Sequence, residues 1–104
     1  MFGTLKNMFT SPSITAAEVK GSFDKTKSII LDVREAGERA MRHIPDSLHI
    51  PLGQVAARMS ELDQHKGKQI IVHCASGMRS AKATGILNNN GFNAVNMLGG
   101  IGAY

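Results

Sequence analysis

Residues 69–81, QIIVHCASGMRSA, decide the fold. Gln69 to His73 is an apolar run rich in β-branched side chains, and it suits a strand buried on both faces. Ser80 to Asn90 reads as a helix, with Ala81, Ala83, Ile86 and Leu87 as its apolar side. The short connection between them holds the one cysteine of the chain, Cys74, followed by Ala75, Ser76, Gly77, Met78 and Arg79. Working outward, Ser28 to Val33 (SIILDV) repeats the buried-strand pattern. Thr15-Ala16-Ala17-Glu18 fits a capping box and starts a short helix, with Ile14 in a short edge strand before it. Ala36 to Met41 forms another short helix. His43-Ile44-Pro45 ends it, because proline lacks an amide hydrogen and restricts the residue before it. Leu52 to Leu62 carries apolar residues at helical spacing. Ser47 to Ile50 and Ala94 to Met97 suit short strands, and Asn88-Asn89-Asn90-Gly91 suits a helix ending in a turn. Strands alternating with helices imply an α/β fold, with a mainly parallel sheet of four to five strands flanked by helices. Ligands of such sheets sit beyond the carboxyl ends of the strands. Asp32-Val33-Arg34 and His73 to Arg79 both leave such ends and face one crevice.

The chain has 104 residues, enough for one domain. Residues 1–12 read as a loose leader and residues 13–104 as the domain. With 42% hydrophobic and 19% charged residues, the composition excludes a disordered chain. No apolar run approaches the roughly 20 residues that span a bilayer. The first ten residues lack the continuous apolar region of a secretory signal, so the expected location is the cytoplasm, where a lone thiol stays reduced. The net charge of +4 suits anionic ligands. It forms no basic stripe, and aromatics are only 5%, so nucleic acid is not an expected partner. One cysteine excludes an internal disulfide and a multi-cysteine zinc site. The histidines at 43, 49, 65 and 73 match no ligand spacing, so neither metal nor other cofactor is expected.

A tight strand-to-helix loop turns its backbone amides toward one point, and the helix N-terminus adds positive potential there. Gly77 allows a positive φ and Ser76 adds a hydroxyl, which together suit an anion nest. A cysteine opening that nest is expected to favour thiolate, the nucleophilic form. A lone cysteine is more often an inert packing residue. Glycine, serine and arginine in so short a loop argue against packing alone.

Cys74-Ala75-Ser76-Gly77-Met78-Arg79, followed by Ser80-Ala81, resembles the active-site loop of rhodanese-like sulfurtransferases. Leu31-Asp32-Val33-Arg34-Glu35, His43-Ile44-Pro45 with Ile50-Pro51-Leu52, and Leu98-Gly99-Gly100-Ile101 resemble three further motifs of that family, in the same order. The similarity is to small single-domain rhodaneses of bacterial type and covers nearly the whole chain. It implies a rhodanese-like fold and sulfur transfer in two steps. Cys74 takes the sulfane sulfur of a donor such as thiosulfate or a persulfide, and the loop amides from Ala75 to Arg79 hold the outer sulfur. A thiol or cyanide then removes it. A protein sulfur donor is an alternative partner, which would make the chain a persulfide carrier. A phosphatase or arsenate reductase would use the same thiolate, but six residues from Cys74 to Arg79 are one fewer than related phosphatases have. A non-catalytic binding module would have no use for a thiolate in a nest.

Arg79 is expected either to act on substrate charge or to hold the loop shut through its own carbonyls. Arg34 and Arg42 are candidates for attracting anionic donors, though Arg34 could instead pair with Asp32 and tie loops together. His43 is expected to be buried and to bridge loop carbonyls, and His73 to be hydrogen-bonded in its strand. Lys82 reads as a solvated helix residue. Met78 reads as an apolar lip. Asp46-Ser47 stands where the family often has Gly-Ala, which suggests a different path for that loop.

Overall fold

The computed structural model describes residues 12–104. Apart from Pro12, the leader expected over residues 1–12 lies outside the described residues. The described strands are β1 (Ser13–Thr15), β2 (Ser28–Asp32), β3 (Leu48–His49), β4 (Gln69–His73) and β5 (Asn93–Leu98). They form one five-stranded sheet in the order β1-β5-β4-β2-β3, and every pairing is parallel. The helices are α1 (Ala16–Ser22), α2 (Ala36–Met41), α3 (Val55–Arg58) and α4 (Met78–Asn88). Among the described residues, no helix is long and apolar enough to cross a membrane.

The strand pleat sends alternate side chains to opposite faces, and two apolar clusters result. Leu31 and Val33 join Ile70, Val72, Cys74 and Ala94 against Val55, Leu62, Ala83 and Leu87 of the α3–α4 side. Ile30, Ile71 and Met97 face the other way, onto Ala16 and Val19 of α1 and onto Ile44 and Ile101. Burial on both faces explains why β2 and β4 read as continuous apolar runs. Register then builds the site. Asp32 lies opposite His73, and the Val33 amide donates to the His73 carbonyl at 3.0 Å. The two strand ends therefore open side by side, as the crevice argument requires.

Thr15 caps α1 as expected. Its hydroxyl accepts from the Glu18 amide at 3.0 Å, and the Glu18 carboxylate accepts from the Thr15 amide at 3.1 Å. Two expectations change. The stretch Leu52 to Leu62 is not one α-helix. A 3₁₀ turn at Leu52–Gln54 leads into α3, and a second 3₁₀ stretch follows at Met59–His65. Apolar residues three and four apart bury Val55 and Leu62 under either winding, so the spacing does not choose between them. The last long helix starts at Met78, two residues before Ser80, because Gly77 turns the chain directly into it at φ 112°.

Asp46 is the one non-glycine residue with positive φ (64°) among the described residues. It sits after Pro45 in a turn closed by the Ser47 amide donating to the Ile44 carbonyl at 3.2 Å. The left-handed backbone that glycine favours is thus carried here by an aspartate, at a local steric cost. Asp46→Gly should stabilise the fold by about 0.5 kcal/mol, since relief of roughly 1 kcal/mol is partly offset by glycine's added chain entropy. Asp46→Ala should destabilise it. Urea midpoints check both, and equal midpoints would mean that the turn carries no strain.

Candidate active site

Cys74 follows β4 directly, and its side chain turns toward α4. Gly77 occupies the N-cap position of α4 and has no side chain to offer the helix's unpaired amides. The sulfur of Cys74 takes that place. It accepts from the Gly77 amide at 3.1 Å and from the Ser80 amide, the third of the helix, at 3.4 Å. An N-cap oxygen commonly takes the amide of the second or third helical residue. Here the helix's positive end falls on sulfur. The Ser80 hydroxyl oxygen lies a further 3.4 Å from the sulfur. Cys74 is only 1% exposed. That burial pushes its thiol up, but the Ser80 hydroxyl and the amides of Ser80, Gly77 and Ser76 outweigh it, and the thiol titrates below its ordinary value.

The loop backbone is clamped from beneath by the closing Gly-Gly-Ile segment. Ile101 donates its amide to the Cys74 carbonyl at 2.9 Å, and Gly102 donates to the Ala75 carbonyl at 3.5 Å. Gly100 is needed for this approach, because a Cβ there would stand 2.3 Å from the Ala75 oxygen. Asn96 of β5 adds a side-chain tie. Its Nδ2 donates to the Gly77 carbonyl at 3.1 Å, and its Oδ1 accepts the Ser80 hydroxyl at 2.5 Å. Ala75, Ser76 and Met78 are exposed and form the lip above the sulfur, whereas Gly77 is buried.

Arg79 does not bind its own loop carbonyls; the closing turn and Asn96 take that work. Its guanidinium instead forks onto the Glu38 carboxylate of α2, with NH1 at 2.7 Å and NH2 at 2.8 Å. Each partner is about a third exposed, at 37% and 35%. Hydrogen bonding by Arg79 holds the Glu38 carboxyl at about 2, and Glu38 holds the guanidinium above its ordinary value in return. The charge on Arg79 also acts on Cys74, more weakly than on Glu38. The Glu35 amide donates to Glu38 Oε1 at 3.0 Å and fixes the carboxylate at the start of α2.

The two arginines expected to attract anions differ in their surroundings. Arg34 is buried. Its Nε and NH2 bind Asp32 at 3.0 and 2.9 Å, and NH2 also donates to the Arg42 carbonyl at 2.6 Å. It ties β2 to the far end of α2, which is the loop-tying alternative. The Arg42 side chain is exposed at the surface, and only its carbonyl takes part in this network. Arg39 adds contacts to Asp32 at 3.4 Å and to the Ser47 carbonyl at 2.7 Å. Burial pushes the Asp32 carboxyl up, but hydrogen bonds from Arg34 hold it below the usual range. His43 is exposed rather than bridging. The bridging histidine is His49, whose Nε2 donates to the Arg34 carbonyl at 2.7 Å. His73 is fully buried, with Nδ1 3.3 Å from the Cys74 carbonyl and Nε2 4.0 Å from Asp32. Burial pushes its ring below the ordinary imidazole range, against the pull of Asp32. Among the described residues, no three His, Cys, Asp or Glu side chains converge as a metal-holding group.

Sequence reasoning missed Asn96, Glu38 and His49. The signal for Asn96 was present: an amide side chain inside a buried strand, in register with Val72, has to be satisfied by something. Glu38 and His49 carried no comparable mark.

The chain is 38% identical over 91 residues to YrkF of Bacillus subtilis, provisionally named a sulfur carrier protein; the match covers 86% of this chain and 48% of YrkF, so the chain spans about half that relative. It is 36% identical over 92 residues to YtwF of the same organism, provisionally named a sulfurtransferase, covering 88% of this chain and 87% of YtwF. The crystal structure of a rhodanese-like domain protein from Staphylococcus aureus superposes with a TM-score of 0.81 at 36% identity, over 88% of this chain and 89% of that one. The family model for the rhodanese-like domain matches residues 15–104. A match of that extent spans the parallel sheet, the Cys74 loop and the closing turn together, and it places the chain in the rhodanese-like domain family.

Proposed function

We propose that this chain is a sulfurtransferase in which Cys74 carries sulfur as a persulfide. One observation carries the reading: a cysteine sulfur occupies the amide nest at the N-terminus of α4. In the first step the thiolate attacks the outer sulfur of thiosulfate. A bond forms between the two sulfurs, the S–S bond of thiosulfate breaks, and sulfite leaves with the electron pair. The outer sulfur of the persulfide keeps the negative charge and meets the preorganised loop amides. In the second step cyanide or a thiolate attacks that sulfur, the persulfide bond breaks, and Cys74 leaves as thiolate. Arg79 is the nearby partly exposed cation for charge developing on the donor. Because Cys74 is 1% exposed, a donor reaches its sulfur past the lip of Ala75, Ser76 and Met78. A lone thiol used this way suits a reducing compartment such as the cytoplasm.

The similarity to YrkF supports a second reading of the same chemistry, in which the persulfide is loaded by a partner protein and passed on. Relative rates of loading from thiosulfate and from a protein persulfide separate the two readings. The six-residue span from Cys74 to Arg79 supports sulfur over phosphate as the group held.

Intact-protein mass spectrometry after brief exposure to thiosulfate should show a gain of one sulfur atom, removed by cyanide, and no gain for Cys74→Ser. A Cys74→Ser protein that turns over would end the covalent mechanism. Arg79→Ala should lower kcat/KM for thiosulfate by about 10²-fold, the usual cost of losing one preorganised charge-stabilising group. An unchanged rate would remove Arg79 from the reaction. The ion pair also sets an acid limit. Glu38 titrates lower in the folded protein than its ordinary 4.5, so its contribution to stability is complete above that value and is lost as pH falls toward about 2. Glu38→Gln should flatten that part of the stability–pH curve, measured by thermal melts from about pH 2 to about pH 5. A slope identical to wild type would show that the pair does not form in solution.

A further inference from the structure

The Ser80 hydroxyl has one proton and two claimants. Asn96 Oδ1 lies 2.5 Å from its oxygen, and the Cys74 sulfur lies 3.4 Å away. The orientation of the Asn96 amide is fixed by chemistry. Its other end faces the Gly77 carbonyl at 3.1 Å, and a carbonyl only accepts, so Nδ2 must point there. Oδ1 therefore points at Ser80, and it too only accepts. The hydroxyl proton must then lie on the Asn96 side, which leaves a Ser80 lone pair facing the sulfur. In that arrangement Ser80 is placed to accept from the Cys74 thiol rather than to donate to it. A thiolate gains a hydrogen bond from Ser80 only if the hydroxyl rotates away from Asn96. All three side chains are buried, at 0% for Ser80, 4% for Asn96 and 1% for Cys74, so bulk water does not readily mediate the exchange.

We infer that Asn96 is a positioning residue for the nucleophile: by claiming the Ser80 hydroxyl proton it withholds one donor from the Cys74 sulfur, and full stabilisation of the thiolate is coupled to rotation of that hydroxyl. The sulfur keeps the amides of Gly77 and Ser80 in both arrangements, so Asn96 governs the hydroxyl donor alone. The thiol proton leaves to solvent on ionisation and the hydroxyl proton is only redirected, so the balance needs no further reactant. The charged groups around the sulfur are few. Arg79 of α4, paired with Glu38 of α2, acts on it through its charge, and buried His73 of β4 precedes it in the chain, its ring 4.0 Å from Asp32 of β2. Strand β5 and the closing turn Ile101–Ala103 present only uncharged side chains. None of these groups contacts the Ser80 hydroxyl, so the Asn96 effect is separable from theirs.

The inference rests on Cys74 acting as a thiolate, and it is tested by alkylation rather than by sulfur transfer. The rate of iodoacetamide labelling is followed against pH in wild type, Asn96→Ala, Ser80→Ala and the double variant, with circular dichroism to verify folding. Asn96→Ala should move the labelling midpoint down and speed labelling on its acid side by about fivefold, the size of one net hydrogen bond. The same change made in Ser80→Ala should have no effect, because Asn96 acts through Ser80. A midpoint that rises in Asn96→Ala, or an equal shift in both backgrounds, would show that Asn96 merely braces the loop and would overturn the inference. Wild type gives an independent readout should the variants fail to fold. The Asn96 side-chain carbonyl resonance should shift with the same midpoint as the Cys74 Cβ, and a carbonyl that stays fixed while Cys74 titrates contradicts the coupling. Absence of a persulfide after thiosulfate treatment would count against the sulfurtransferase reading and leave these titrations unaffected.

Discussion

A sulfur atom caps a helix. Helix α4 begins at a glycine that cannot cap it, and Cys74 supplies the missing acceptor for the Ser80 amide while also taking that of Gly77. In ordinary caps an oxygen fills this role and contributes about 1 kcal/mol to the fold. Here the same geometry favours charge on a nucleophile. Structural need and chemical need are met by one contact, so neither the loop length nor the glycine is free to vary. Burial opposes this, since an apolar setting penalises the charged sulfur. The outcome depends on how many donors converge, and three separate parts of the chain are engaged in making them converge.

The first of these parts is the parallel sheet. Register places Asp32 beside His73, and the pleat turns Cys74 to the α4 side while those two residues face the α1 side. The ion-pair network of Asp32, Arg34 and Arg39 is thereby used to fasten α2. The second is α2 itself, which brings Glu38 to Arg79 and so fixes a cation at the crevice. The third is the end of β5 with its closing turn. Asn96, Gly100 and Ile101 bind or pack against the backbone of the Cys74 loop. Groups as far apart in the chain as Glu38 and Ile101 thus converge on one loop, as expected of α/β crevices.

The sequence reveals the backbone of this arrangement more readily than its side-chain partners. Strands β2 and β4 are legible because burial on both faces leaves a continuous apolar run, and the α1 cap because Thr15 and Glu18 stand at a spacing with one physical use. The Cys74 loop is legible because glycine, serine and arginine after a strand have no packing purpose. Partner choice is less so. Arginines 34, 39, 42 and 79 look alike along the chain, and only the folded positions of α2 and β2 show that Asp32 takes two of them and Glu38 one. For the same reason the bridging place expected of His43 falls to His49. At Asp46 the sequence departs from the glycine that resembling chains often carry, yet the backbone still adopts a left-handed turn, with the difference held as strain.

The central claim is that the loop amides at the head of α4 hold a charged sulfur. Its most direct test is a crystal structure of the protein after thiosulfate treatment. The account predicts electron density for one further sulfur bonded to Cys74 and lying among the amides of the loop. A second sulfur pointing out of the nest into solvent, or a reactive Cys74 that acquires none, would contradict it.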